Sequence, residues 1–147
     1  MRKVKRCGLT LISALFLAGQ AQATDMWASA NLTLFGYGAS GGVRLFSLAG
    51  GTTVAIEGGW HRPYRTTANE FSLGAMARNV RITDTNLNAY LGGGVAFEGL
   101  FRNPRPYVEV GLHFPVVGAF ALRGGLRSYP MTNHLNAGLG AEWHYRY

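Results

Sequence analysis

The sequence predicts an all-β chain: eight antiparallel strands closed into an up-and-down meander barrel that crosses a membrane, preceded by a cleaved signal peptide. Three observations carry this. Apolar and polar residues alternate with period two through most of the chain, the spacing of a strand with two different faces. Glycine is abundant, 21 of 147 residues, which opposes helix and suits bends and crowded strand interiors. The N-terminus has the pattern of an export leader.

The leader is read as residues 1–23. Arg2, Lys3, Lys5 and Arg6 form a basic head, Leu9 to Gly19 is apolar, and Ala21-Gln22-Ala23 is a small-x-small cleavage site. The apolar run is shorter than the ~20 residues a spanning helix needs. Residues 24–147 are then one domain. They carry ten Arg, no Lys and seven acidic residues, so the overall net charge of +7 falls to +3 without the leader. That balance gives no case for a nucleic-acid partner. The single cysteine, Cys7, lies in the leader. No disulfide or thiolate metal site is therefore expected beyond it.

The strands follow in order. The first is expected over about Ala28 to Tyr37 and the second over about Gly42 to Leu48. The third places Val54, Ile56 and Trp60 opposite Ala55 and Glu57. The fourth sets Phe71, Leu73, Ala75 and Ala77 against Glu70, Ser72, Gly74 and Arg78. The fifth runs from Leu87 to Phe97. The sixth sets Val108, Val110, Leu112 and Phe114 against Tyr107, Glu109, Gly111 and His113. The seventh sets Phe120, Leu122 and Leu126 against Ala121, Arg123 and Arg127. The eighth, Leu135 to Tyr147, is the clearest: Leu135, Ala137, Leu139, Ala141, Trp143, Tyr145 and Tyr147 share one face, and Asn136, Gly138, Gly140, Glu142, His144 and Arg146 the other. At about a dozen residues it suits a tilted membrane strand of roughly 9–11.

Turn residues fill the gaps: Gly38 to Gly41, Ala49 to Gly51, His61 to Asn69, Asn79 to Thr85, Glu98 to Arg105, Pro115 to Gly118 and Ser128 to Asn133. Short links favour sequential antiparallel neighbours. Eight strands close around an interior just wide enough for side chains.

Alternation leaves two orientations open. A soluble secreted ligand-binding barrel holds its apolar face inward, and a membrane barrel inverts it. Inversion is favoured by a polar face of Gly and isolated charges, too sparse for a solvated surface. The aromatics Trp27, Trp60, Phe97, Phe114, Trp143, Tyr145 and Tyr147 also lie near strand ends, where interfacial girdles form.

In this pattern the chain resembles the small eight-stranded outer-membrane barrels, the group of the OmpA transmembrane domain, OmpX and OmpW-like proteins. Gly140-x-x-Trp143-x-Tyr145 with the final Tyr147 is similar to the terminal signal read by barrel-assembly machinery. The resemblance implies location in a bacterial outer membrane. It also implies outer-membrane lipid and the assembly machinery as partners, with other envelope proteins as further candidates.

The inverted frame places Arg44, Glu57, Glu70, Arg78, Glu109, His113, Arg123, Glu142, His144 and Arg146 in the lumen. Buried charges persist when paired, and a tight turn at Pro115 to Val117 would set Glu109 opposite Arg123. The expected role is a polar plug in a non-enzymatic structural or interaction barrel; a small pore is the alternative. A lipid-modifying enzyme is a further one, because His134-Leu135-Asn136-Ala137 with Glu142 resembles the His-x-Ser-Asn motif and downstream Glu of lipid A deacylases. Asn136, however, stands at the nucleophile position, leaving nothing for His134 to activate, and no catalytic residue is assigned. The four histidines show no H-E-x-x-H spacing, so neither metal nor cofactor is expected. In the loops, Arg62, Arg65, Arg102 and Arg105 are candidates for binding lipid phosphates.

Overall fold

The computed structural model describes residues 25–99 and 101–146, and the side chain of Arg146 falls outside it. The expected signal peptide, 1–23, and Tyr147 lie outside the described residues. Eight strands follow one another: β1 Asp25–Thr33, β2 Gly36–Ser47, β3 Thr53–Pro63, β4 Glu70–Arg81, β5 Asn88–Glu98, β6 Arg102–Val117, β7 Phe120–Tyr129 and β8 His134–Arg146. Each pairs antiparallel with its neighbours in sequence, and β1 pairs with β8 to close the barrel.

The faces follow the alternation. Leu73, Leu91, Val110, Leu122 and Leu139 all point outward, with Leu139 74 % exposed and Leu73 59 %. Glu57, Glu70, Arg78, Glu109, His113, Arg123 and Glu142 are buried inside. The polar face is therefore the inner one, the reverse of a soluble barrel.

Several turns differ from expectation. The first falls at Leu34 and Phe35 rather than Gly38 to Gly41, so β1 starts at Asp25 and β2 runs through the glycines. Those glycines serve close approach, not chain reversal. A Cβ on Gly42 would lie 2.2 Å from the Trp27 ring, which lies across it. Trp27 is thereby a lumen residue, 6 % exposed, and not part of an outer girdle.

At the expected loop Asn79 to Thr85, β4 continues to Arg81. Asn79 takes φ 57° where the register with β5 shifts. Asn tolerates this left-handed conformation, so the signal marks a bulge instead of a loop.

The loop expected at Glu98 to Arg105 contracts to residues 99–101, which places Arg102 and Arg105 on β6. The two prolines nearby, Pro104 and Pro106, are strand residues. Likewise β6 passes through Pro115 to Val117, and the β6–β7 turn lies at Gly118 and Ala119. Glu109 consequently faces Arg127, and His113 faces Arg123. The slip from the expected register is four residues, an even number, so every side chain keeps its face.

Candidate functional site

Among the described residues the lumen gathers arginines and carboxylates into one network, and its residues come from all eight strands. On β7 the inward positions include Arg123, Arg127 and Tyr129; on β6, Tyr107, Glu109 and His113. Alternation delivers them inward, and glycines make room. A Cβ on Gly125 would lie 2.1 Å from the Tyr90 hydroxyl. Bulky inward side chains and small inward neighbours are thus two halves of one packing arrangement.

Arg123 is the hub. Its Nη1 donates to Glu57 Oε2 at 2.6 Å and its Nη2 to Glu109 Oε1 at 2.7 Å. The expected Glu109–Arg123 ion pair therefore forms, diagonally across the strands. Glu109 also accepts from Arg127 Nε at 2.8 Å, and Glu57 from the Trp27 indole at 3.0 Å. Arg78 bonds Glu142, and its Nη1 stands 4.0 Å from Glu57. Toward the β3–β4 loop, Glu70 accepts from Tyr129 at 2.6 Å and from Arg105.

Each of these arginines also lies over an aromatic face. Arg78 sits 3.9 Å from the Trp27 ring centre, Arg123 4.3 Å from Tyr90, Arg127 4.2 Å from Tyr107 and Arg105 5.3 Å from Tyr129. Such stacking offsets desolvation of the guanidinium, by about 0.5–2 kcal/mol each. Only the carboxylate half of this arrangement was expected. Tyr90, Tyr107 and Tyr129, together with Arg127 and Asp25, were not singled out as site residues, and Trp27 was expected in the outer girdle instead. Their signal is positional, since each shares the polar phase of its strand.

The remaining expected residues divide by end. Arg44 pairs with Asp25 at 3.0 Å, at the end where β1 begins and β8 finishes. At that same end His113, Glu142 and His144 converge: Glu142 Oε1 is 3.1 Å from His113 Nε2 and 2.7 Å from His144 Nε2. At the opposite end a pocket of about 510 Å³ opens between the loops. Arg62 is occupied there with its own loop, donating to the Thr67 carbonyl at 2.6 Å and to Asn69 at 3.1 Å. Arg105 turns into the lumen toward Glu70. Arg65 and Arg102 are exposed.

The deacylase-like motif is not assembled. His134 packs against Phe35, its ring centre 4.8 Å away. Glu142 is eight positions further along β8, roughly 26 Å at a strand's rise per residue. No catalytic constellation is apparent among the described residues. Between the two ends a cavity of only about 90 Å³ remains among the lumen side chains. Gly140, Trp143 and Tyr145 lie on β8, with Trp143 edge-on to Phe120 at 4.4 Å and exposed on the outer face.

No protein-family model matches the chain, and no curated protein matches it significantly. Among solved structures it is similar to the N-terminal β-barrel domain of Pseudomonas aeruginosa OprF, with a TM-score of 0.58 and 18 % identity over 84 % of this chain and 97 % of that one. It is also similar to Neisserial surface protein A, NspA, with a TM-score of 0.53 and 15 % identity over 85 % and 96 %. At these identities the likeness is one of fold alone, that of a closed antiparallel barrel.

Proposed function

We propose that the chain is an integral outer-membrane barrel of the bacterial envelope, exported by its leader and non-enzymatic, with a structural or interaction role. The observation that carries this is the inversion of the barrel. Large apolar side chains cover the outside while five arginines and five carboxylates pair in or at the mouths of the lumen. In water such an outer surface is an aggregation liability, whereas in hydrocarbon it is the expected lipid face. Closure also leaves no unpaired strand edge, the requirement for β-structure in lipid.

The paired lumen supports a plug over a pore. Only a small cavity, about 90 Å³, remains among the paired side chains. Arg65 and Arg102, at the loop end, are the residues we assign to lipid phosphates. The β8 positions Gly140, Trp143 and Tyr145 are those we assign to recognition by assembly machinery.

The test is refolding of residues 24–147 into detergent and lipid vesicles. The expected product migrates as a compact species on a gel and shifts on heating, and it conducts no steady current in a planar bilayer. A folded monomer soluble in plain buffer would overturn the membrane assignment, and sustained conductance would overturn the plug.

A further inference from the structure

We infer that His113, Glu142 and His144 form a binding site for a divalent transition metal of the zinc class, at the end of the barrel that carries both strand termini. Three potential ligand atoms meet there. His113 Nε2 and His144 Nε2 are 3.0 Å apart, and Glu142 Oε1 lies 3.1 Å and 2.7 Å from them. All three lie within 4.8 Å of one another. Ligands held about 2.0–2.1 Å from a tetrahedral zinc sit roughly 3.3 Å apart, so this triangle needs only slight expansion to take the ion.

The hydrogen-bonding groups show what an ion would replace. Arg78 already bonds Glu142 Oε1. If both imidazoles carry their proton on Nε2, three donors compete for one oxygen and the two N–H groups face each other. If both present lone pairs instead, two acceptors and a carboxylate oxygen face a common point with nothing positive between them. With one imidazole donating from Nε2 and the other accepting, the contacts are met by a shared proton, and a metal ion would occupy that proton's place, since neutral imidazoles and a carboxylate are its ordinary donors. His113 Nδ1 has no hydrogen-bond partner and Glu142 Oε2 accepts no hydrogen bond. Glu142 Oε1, 3.1 Å away, accepts from His113 Nε2 when that nitrogen carries the proton, so an ion bound there would take the place of this proton.

The site is built, not incidental. Glu142 is 0 % exposed and His113 6 %, held on β8 and β6, two strands separated by β7. His144 is the accessible member, its side chain 27 % exposed, which supplies an entry path and room for a water as fourth ligand. Two imidazoles and one carboxylate suit Zn²⁺, Co²⁺ or Ni²⁺ and are poor for Mg²⁺ or Ca²⁺, which take oxygen. Sequence spacing hid the site. His113 is supplied by a different strand, and His144 stands two positions from Glu142, so no metal motif exists along the chain.

The experiment uses untagged, refolded protein in detergent, titrated with Co²⁺ and Zn²⁺ after chelator treatment. One Co²⁺ per barrel is expected, with the visible absorption of a low-coordinate His-containing site, displaced by Zn²⁺ and unaffected by excess Mg²⁺. His144→Ala should weaken binding by at least about ten-fold while the heat-modifiable gel shift persists, showing that the barrel still forms. His113→Ala should do the same, and His134→Ala, at the opposite end, should bind like the parent. Absence of saturable binding by the folded parent would overturn the inference. So would binding that survives undiminished in both folded variants.

Discussion

Arg123 shows what a single side chain does in this lumen. It joins two carboxylates from two other strands, Glu57 and Glu109, and covers the Tyr90 ring. Arg123→Gln would leave both carboxylates short of their partner in a confined interior. A loss of about 3–5 kcal/mol is expected, the usual cost of breaking a buried pair from one side, measured by urea unfolding in vesicles. Adding Glu57→Gln should recover part of that loss, because two neutral amides can bond each other. Arg65→Gln, on an exposed loop, should change stability by no more than about 0.5 kcal/mol. The charged residues were legible from period two alone, since phase decides which face a side chain takes. Their partners were not, because pairing depends on register. Glu109 was expected across from Arg123 but lies across from Arg127, and only the length of the Arg side chain preserves the ion pair.

At the scale of the strand, two kinds of position govern. In the membrane setting proposed above, outward positions near mid-strand are expected to tolerate only apolar groups. Leu139, paired with Leu32, is one, and Leu139→Arg should cost about 2–4 kcal/mol at the bilayer midplane. Met131→Arg, in the exposed β7–β8 loop, should be close to neutral in the same unfolding assay. Inward glycines are the other kind. Gly42→Val would drive a side chain into Trp27, and the expected result is failure of the heat-modifiable form to appear. These glycines explain why the first two strands were the least legible. A run such as Gly38 to Gly41 reads as a turn when only conformational freedom is considered. Here its purpose is to leave room, and what fills that room, Trp27 or the neighbouring backbone, is a tertiary fact. β8 was legible almost to the residue, because it has no such run of adjacent glycines and its alternation is unbroken.

For the whole molecule, strand number, order and sidedness were all readable, because short links allow little except a meander and an even register slip preserves faces. The metal-like triangle at one mouth was not readable, because closure brings together side chains that no local spacing relates. The balanced interior has its own measurable outcome. With its arginines matched by carboxylates, the parent barrel should remain non-conducting across a range of applied voltage in a planar bilayer, since a neutral, paired plug offers little net charge for the field to move.

The seam between β1 and β8 has a kinetic meaning. Asp25 is the partner of Arg146, so the pairing that completes the cylinder joins the first strand to the eighth, more than a hundred residues apart along the chain. Closing so long a loop carries the largest entropic cost in the fold and gives little until the other strands are in place. Until then β1 and β8 are both open edges, ready to pair with another chain and unable to rest in lipid. A chain cut before His134 should therefore not become a smaller barrel. It should remain membrane-peripheral or aggregate, detectable as protease-sensitive material without a heat shift. Strand β8 acts as a timing device: the cylinder becomes possible only once β8 is present to meet β1.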